Sequence, residues 1–480
     1  MKVKTSRRSF VKSAAAGVFF IPAANLYGQA LKGPASKQLR FAAIGAGGMG
    51  RSTTAGIIKG GGIVAALCDT DTDRLAEEAK KHPGIPCFTD FREMLEKIGG
   101  DIDAVHVSTP DHMHAYAALT AMEMGKHVYV QKPLAHSFEE CELLAEKAKT
   151  TGLVCQMGNQ GHPGVARYKA LMDELKNPWG EVLALESWSD RPDYVGGDGK
   201  KRVIWKQGMT EYAAVQPYTH GYTDKTWDIW CGPAANHGYS EAYAPCRWRG
   251  WFEYGCGPIG DMAVHNADPA FWLFNLGLPT SVLGDTCGFG PAGVAFPFQS
   301  VIRLTFAPQP LFPKGVTLTW RDGGLLPAVT PNMNPSFKPG SNGLMVIGSQ
   351  ATTSAGSHAS PPAVVAAGTD AWGDAARDLK NAFNKVLKNV KTVDHYREWV
   401  EACRNGTPEA CGSKFSYAAP LTEALLIGCL SLRFPGRRLD FDPVAKRFTN
   451  CEEANALLRA PSRGAWNFAG FTSKPWWKLW

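Results

Sequence analysis

Apolar positions in the first third of the chain alternate between two periods. Short unbroken apolar runs, "LRFAAI" (39–44), "GIVAALCD" (62–69), "DAVHVSTP" (103–110), "HVYVQKP" (127–133) and "LVCQMG" (153–158), read as strands buried on both faces. Between them lie stretches with helical spacing. "DFREMLEK" (90–97) is capped by Asp90, and "HAYAALTAMEMGK" (114–126) is stopped by Gly125. "SFEECELLAEKAKTTG" (137–152) opens with Ser137 and Glu140 at capping-box spacing and stops at Gly152. This alternation predicts a doubly wound sheet of about six parallel strands. After residue 158 the pattern changes. Asn159 to Ser187 reads as a helix leading into a new strand, and an aromatic-rich polar region runs from Trp188 to Trp251. Residues 321–364, rich in Gly, Pro, Ser and Ala, read as an extended loop with one embedded strand, Leu344–Gly348. "HYREWVEACRNG" and "PLTEALLIGCLSLRFPG" read as two helices near the end.

Ligands in a doubly wound sheet bind at the carboxyl ends of the strands. The first strand runs into Gly45-x-Gly47-x-x-Gly50, with Gly48 and Met49 inside the turn. Glycines let backbone approach a pyrophosphate, and the following helix supplies N–H donors and partial positive charge. The second strand ends at Asp69, 24 residues after Gly45, where a carboxylate meets adenine ribose hydroxyls and repels a 2′-phosphate. That predicts NAD in preference to NADP, although Arg51 weakens the preference; the bland alternative makes Asp69 the N-terminal acid of a polar helix. The other strand ends offer Ser108, Thr109 and Pro110, then Gln131, Lys132 and Pro133, then Met157 to Gln160, with Asn159 placed to touch the nicotinamide amide. Lys132 can hold a substrate hydroxyl or carry a proton there, or simply be a solvated strand-end lysine.

Composition narrows the rest. The length of 480 residues and 44% hydrophobic content suit two domains. "SRRSFVK" (6–12), a short apolar segment and a small-residue site after Ala30 have the layout of a twin-arginine export signal over residues 1–30. That layout implies the twin-arginine export machinery as a partner and a periplasmic or otherwise exported location, with the cofactor carried inside. The net charge of +7 falls to 46 basic against 44 acidic residues beyond position 30, so nothing points to nucleic acid or an anionic membrane surface. The 12 cysteines contain no CxxC. They read as core thiols, with Cys231 and Cys246 among those able to oxidise after export. No internal stretch is apolar enough to span a membrane.

The block "STPDHMHAYAALTAMEMGKHVYVQKPL" resembles the glucose-fructose oxidoreductase, inositol dehydrogenase and MocA (Gfo/Idh/MocA) family, over roughly Lys37 to Phe468. The resemblance implies an N-terminal Rossmann domain (37–158), a C-terminal α+β domain with an open, mostly antiparallel sheet (159–468), a tail (469–480) and homo-oligomers paired through that sheet. The family's E-K-P motif is Gln131-Lys132-Pro133 here, often with a cis Lys-Pro bond. The family's catalytic lysine falls on Lys132, while a neutral Gln131 removes a carboxylate that would raise the lysine pKa. "GCGPIGDMAVHNADPAFW" (255–272) resembles the family's glycine turn and D-x-x-x-H. Its carry-over makes His265 the general acid/base and Asp261 the residue orienting substrate or histidine. A metal half-site would instead need His112 and His114, which the resemblance places along the nicotinamide crevice, so His114 is assigned to the cofactor and no metal is expected. "TWDIWCGPA" (226–234) resembles exported sugar-acting members. Trp188, Arg191, Trp227 and Trp248 are the expected carbohydrate contacts, by stacking and hydroxyl binding, though tryptophans also pack cores. The implied activity is NAD-dependent oxidoreduction of a sugar, polyol or glycoside hydroxyl. Transient C3 oxidation with glycoside elimination is the alternative, and a non-catalytic sugar-binding protein the third class.

Overall fold

The computed structural model describes residues 38–195, 200–287, 293–367 and 372–471. The expected export signal, 1–30, lies outside the described residues, as does the tail beyond 471. Six strands form the first sheet: β1 (Arg40–Ile44), β2 (Ile63–Cys68), β3 (Cys87–Phe88), β4 (Ala104–Val107), β5 (His127–Gln131) and β6 (Cys155–Gly158). Their order is β3-β2-β1-β4-β5-β6, all parallel. Chain direction across the sheet reverses between β1 and β4, which opens a crevice at their carboxyl ends. The two-residue β3 carries no apolar run of its own and was not legible in the pattern. Helix Phe138–Thr151 starts on the expected capping box: Ser137 Oγ accepts from Glu140 N, and Glu140 Oε2 accepts from Ser137 N at 2.9 Å.

The second sheet has nine strands. These are β7 (Val182–Trp188), β10 (Ser281–Cys287), β11 (Gln299–Phe306), β12 (Val316–Arg321), β13 (Gly343–Gly348), β14 (Ala351–Ala355), β15 (Ala363–Ala367), β16 (Arg438–Asp442) and β17 (Arg447–Phe448). Only β7 and β12 pair in parallel. A separate hairpin joins β8 (Asp193–Val195) to β9 (Lys201–Val203). The architecture is therefore α/β, with a parallel Rossmann sheet followed by a mixed, mostly antiparallel sheet. The loop expected over 321–364 is corrected: β14, "ATTSA", and the start of β15 lie inside it, paired with β13 and each other. Small and hydroxyl side chains conceal the period of two, and sheet pairing rather than side-chain pattern makes these residues strand.

Two late helices weld the halves. Phe415–Ser431 packs on Phe138–Thr151 and on β10, and touches residues 259–263. His395–Asn405 returns to the first sheet, where Trp399 is fully buried in one core with Phe41, Leu67 and Tyr129. Trp466 and Phe468 pack on Tyr116, and the Arg92 guanidinium sits 4.1 Å over the Trp466 ring. All twelve cysteines are free thiols, Cys231 buried and Cys246 exposed. No helix among the described residues is long and apolar enough to cross a membrane.

Candidate active site

A cleft of about 420 Å³ runs along the carboxyl ends of β1, β2, β4 and β5. Its floor is the glycine turn. Gly45 has φ +88°, and a Cβ there would lie 2.6 Å from Ser108 O; a Cβ on Gly50 would lie 1.8 Å from Gly45 O. Any side chain at either position would push the helix Met49–Lys59 off the turn, so the sequence keeps bare backbone where a phosphate would approach. Asp69 stands at the cleft but its carboxylate is turned into the turn. Oδ2 accepts from Ala46 N at 2.9 Å and Gly47 N at 3.0 Å, and Oδ1 accepts from Asp71 N. Burial pushes this carboxyl up, against the pull of those three donors. The helix cap is Asp71, which accepts from Arg74 N, so Asp69 is not the helix's N-terminal acid. Arg74, not singled out from sequence, lies against Gly47 and lines the same end of the cleft.

Gly47, Gly48, Met49, Ser108, Thr109, Pro110, His114, Gln131 and Lys132 all line the cleft. His114 Nδ1 is 2.8 Å from Pro133 O and Nε2 is 3.0 Å from Thr109 O, so the ring braces two strand ends. His112 lies with Nδ1 3.1 Å from Tyr254 O and Nε2 2.7 Å from Trp230 O, and burial pulls its pKa down to about 4, so the neutral ring donates to one of these carbonyls. Among the described residues no group of three or more His, Cys, Asp or Glu side chains is placed to hold a metal ion. Asn159 is buried and does not itself line the cleft, whereas its neighbour Gln160 does. Both amide atoms of Asn159, Thr109 Oγ1 and Gln131 Oε1 are buried with no hydrogen-bond partner in the chain. Bare glycine backbone and polar atoms left unpaired nearby suit a dinucleotide.

The chemistry sits where the two domains meet. Lys132, joined to Pro133 by a cis peptide, donates from Nζ to Asp261 Oδ1 at 2.5 Å and to Asp261 O at 3.0 Å. Gln131 donates to Thr53 Oγ1, so the lysine's counter-charge comes from Asp261 rather than from residue 131. Asp261 also receives Arg191 Nε at 3.1 Å and Arg249 Nε at 3.3 Å. Burial alone would push its carboxyl up, but Lys132, Arg249 and Arg191 outweigh burial and hold it well below the usual range. Burial pulls the Lys132 ammonium down, and Asp261 offsets part of that pull. A π-helical turn, Ile259–Ala263, followed by the helical turn Val264–Asn266, sets Asp261 and His265 side by side in the cleft. His265 is 3% exposed, with Nδ1 unpartnered, and burial followed by the charges of its neighbours draws its pKa well below an ordinary imidazole.

Of the four expected sugar contacts, two line the cleft and two do not. Arg191 and Trp248 line the cleft. Trp188 points away from it: the ring is 1% exposed, packs with Met333 and Met345, and donates to Gly340 O at 2.7 Å. Trp227 is equally buried, stacked 4.4 Å from Trp230 in an aromatic core. Trp205 and Trp230 reach the cavity instead. Arg249 was missed as well. Its Nη1 grips both oxygens of buried Asp111 at 3.0 and 2.9 Å, and its guanidinium lies 4.3 Å over Trp248. The only sequence signal was an arginine beside a tryptophan. The aromatic segment also closes the far end of the cleft. Tyr222, Pro245 and Cys246 face Asp69 across it, Gly221 O accepts from Thr72 Oγ1 at 3.1 Å, and Arg74 reaches Cys246 Sγ at 3.2 Å.

Residues 39–159 match the model "Oxidoreductase family, NAD-binding Rossmann fold", and residues 201–282 match "Oxidoreductase family, C-terminal alpha/beta domain", both of the Gfo/Idh/MocA group. The chain is 36% identical over 122 residues to a 4-carboxy-2-hydroxymuconate-6-semialdehyde dehydrogenase of a Sphingobium species, covering 25% of this chain and 38% of that protein. It is 35% identical over 123 residues to scyllo-inositol 2-dehydrogenase (NAD(+)) of Bacillus subtilis, 25% and 35% of the two chains. It is 34% identical over 131 residues to an alpha-N-acetylgalactosaminidase of Shewanella oneidensis, 25% and 28%. These matches thus span well under half of each relative. Among solved structures, the levoglucosan dehydrogenase complex with NADH aligns at TM-score 0.52 and 17% identity, over 84% of this chain and 99% of that one. An inositol dehydrogenase homolog from Azotobacter vinelandii, complexed with NADH and myo-inositol, aligns at 0.53 and 16%, over 85% and 98%. At such identity the likeness is one of fold. Two segments of the protein, in this order on the chain, are thus similar to the NAD-binding Rossmann domain and to part of the C-terminal α/β domain of the Gfo/Idh/MocA oxidoreductases.

Proposed function

We propose that the protein is an NAD-dependent oxidoreductase acting on a CH–OH group of a sugar, polyol or glycoside. The observation that carries this reading is the Lys132–Asp261 ion pair set beside His265 at the mouth of a glycine-floored cleft. Bound NAD supplies the hydride acceptor. Gly45 to Gly50 and the start of the following helix would hold its phosphates, and Asp69, which lines the same cleft while bracing the turn, would stand beside its ribose. Asp261, kept ionised by three cations, takes no proton and serves to hold and orient Lys132. Two Lys132 protons are committed to Asp261, which leaves the third for the substrate oxygen. His265, neutral at pH 7, takes the hydroxyl proton as the C–H hydrogen leaves as hydride. Trp248, Trp230 and Arg191 support the sugar face.

A second reading has its own support. The chain is also similar, over 131 residues, to an alpha-N-acetylgalactosaminidase. A cofactor roofed by Tyr222, Pro245 and Cys246 is suited to stay bound through a cycle with no net redox. On that reading the same residues oxidise a glycoside transiently, eliminate the aglycone and restore the hydride. We further propose that the chain is exported folded, with NAD inside, on the strength of the arginine pair and small-residue site in residues 1–30. The test is to purify the protein, denature it, assay the supernatant for NAD(H), and screen intact enzyme against free sugars and aryl glycosides. Stoichiometric NAD reduced by a sugar supports oxidoreduction. Aglycone release without net NADH supports the glycosidase. Absence of both bound NAD and turnover would leave a sugar-binding protein.

A further inference from the structure

A second imidazole lines the cleft beside His265. The His358 ring lies on it with centroids 4.0 Å apart and planes 21° from parallel. The backbone is left-handed at His358 (φ +59°) and again at Ala359 (φ +49°). Two successive side-chain-bearing residues rarely adopt that region. The loop is held there from outside: Tyr168 Oη donates to Ser360 O at 2.9 Å, Arg167 Nη1 donates to Ala359 O at 3.2 Å, and a Cβ on Gly161 would meet the His358 backbone at 2.7 Å. Backbone strain that the surroundings enforce gathers at ligand sites.

The hydrogen bonds fix which nitrogen of His358 carries the proton. Asn266 Nδ2 donates to Trp188 O at 2.8 Å, so Asn266 Oδ1 is left as an acceptor. Ser357 Oγ gives its one proton to that oxygen at 2.6 Å. Ser357 Oγ therefore accepts from His358 Nδ1, 2.6 Å away, and in the neutral ring Nε2 keeps a lone pair. Burial, Lys132 and Arg191 lower the His358 pKa and favour that neutral form. His265 Nδ1 is buried with no hydrogen-bond partner, and His358 is exposed at the cleft wall. The charges around the pair are matched. Lys132 is bound to Asp261, Arg191 to Asp190 and Asp261, and Arg249 to Asp111 and Asp261. A substrate carboxylate or phosphate would bring an unmatched negative charge into this balanced cluster.

We propose that His358 is a specificity-determining residue whose Nε2 accepts a hydrogen bond from the hydroxyl adjacent to the one His265 engages, so that the site selects an uncharged vicinal diol. This deepens the dehydrogenase reading and rests on it. The test combines His358→Gly and His358→Asn with the methyl glycoside that best reduces bound NAD and its monodeoxy analogues. Glycine and asparagine both tolerate the left-handed backbone, so the fold is kept. In the wild type, removing the flanking hydroxyl lowers kcat/KM by about 10- to 100-fold, mainly through KM. Each variant shows the same loss on the parent glycoside and little further loss on the deoxy analogue. Losses that multiply, or a variant indistinguishable from wild type, overturn the proposal. A methyl glucuronide is expected to be at least 10-fold worse than the methyl glucoside, and a preference for the uronide overturns the uncharged-substrate part. If no sugar reduces NAD, the dehydrogenase reading has failed. ¹⁵N imidazole NMR of the intact protein then decides the His358 inference alone: methyl glycosides or myo-inositol shift its Nε2 resonance, and an unmoved resonance overturns it.

Discussion

Asp261→Asn isolates the electrostatics of the cleft. The substitution keeps the shape and removes the one carboxylate shared by Lys132, Arg191 and Arg249, whose donor atoms lie 2.5, 3.1 and 3.3 Å away. Arg191 retains Asp190 and Arg249 retains Asp111, so Lys132 is the cation left without a counter-charge. Removing one partner of a buried pair costs about 3–5 kcal/mol. Lys132 can escape part of that by losing its proton. For an ordinary lysine near pH 7 this costs about 4.6 kcal/mol, from about 1.36 kcal/mol per pKa unit. Burial already draws Lys132 down, so its cost is lower. The expected loss of stability at pH 7 is therefore about 3–4 kcal/mol. The sign with pH follows from proton counting. A folded variant with neutral Lys132 unfolds to a chain that binds one more proton below about pH 10. Its stability then rises with pH, and the deficit narrows by up to about 1.4 kcal/mol per unit. Urea unfolding of both proteins at pH 7 and pH 9, followed by tryptophan fluorescence, measures it. A deficit under about 1 kcal/mol at pH 7, or one unchanged at pH 9, would refute this account of the charge cluster.

In the wild type the depressed Asp261 carboxyl contributes fully to stability above the ordinary carboxylate pKa of about 4, and that contribution is lost progressively as pH falls below it, visible as an acid shoulder in a melting series that Asp261→Asn lacks. On the proposed role of His265 as a neutral base with a lowered pKa, kcat/KM should stay flat from pH 7 down past about 6.5; a drop centred at or above 6.5 contradicts that role. Gly50→Ala places a methyl against Gly45 O, and the purified variant should carry no NAD on acid extraction. Trp188→Ala and Trp248→Ala should separate packing from binding. The first lowers stability by about 3–5 kcal/mol, while the second raises KM with a stability change of about 1 kcal/mol or less.

The Rossmann half was legible because each signal is local. Apolar runs, the Ser137–Glu140 box and the spacing of Gly45, Gly47 and Gly50 all act within a few residues of themselves. The same holds for Lys132 at a strand end and for Asp261 and His265 four apart. What sequence could not reach was partnership across long intervals. Trp188 and Trp227 looked like sugar platforms because their surroundings are polar along the chain, whereas their contacts in space are Met345 and Trp230. Arg249 and His358 owe their place to Asp111 and to a loop braced by Gly161, and no spacing rule links such positions. Strands β14 and β15 exist because β13 offers an edge to pair with, a cause that lies outside their own residues.

The return of His395–Asn405 to the first sheet bears on how this protein can be rebuilt. Trp399 and Val400 fill the core beside Phe41 and Leu67, and Tyr396 covers Gly56 on the first helix. The nucleotide-binding half is therefore finished by residues that follow its last strand at a long distance on the chain. A ribosome must pass residue 405 before the dinucleotide fold has its complete interior. A fragment ending after β6 would display a raw apolar flank where Trp399 belongs. Grafting residues 38–160 onto another substrate domain would carry over the glycine turn and leave behind the helix that seals it. Exchange of specificity in this scaffold is better sought by replacing residues 205–248, which bring Trp205, Tyr222, Trp230 and Trp248 to the cleft, while Asp261, His265 and both closing helices stay in place.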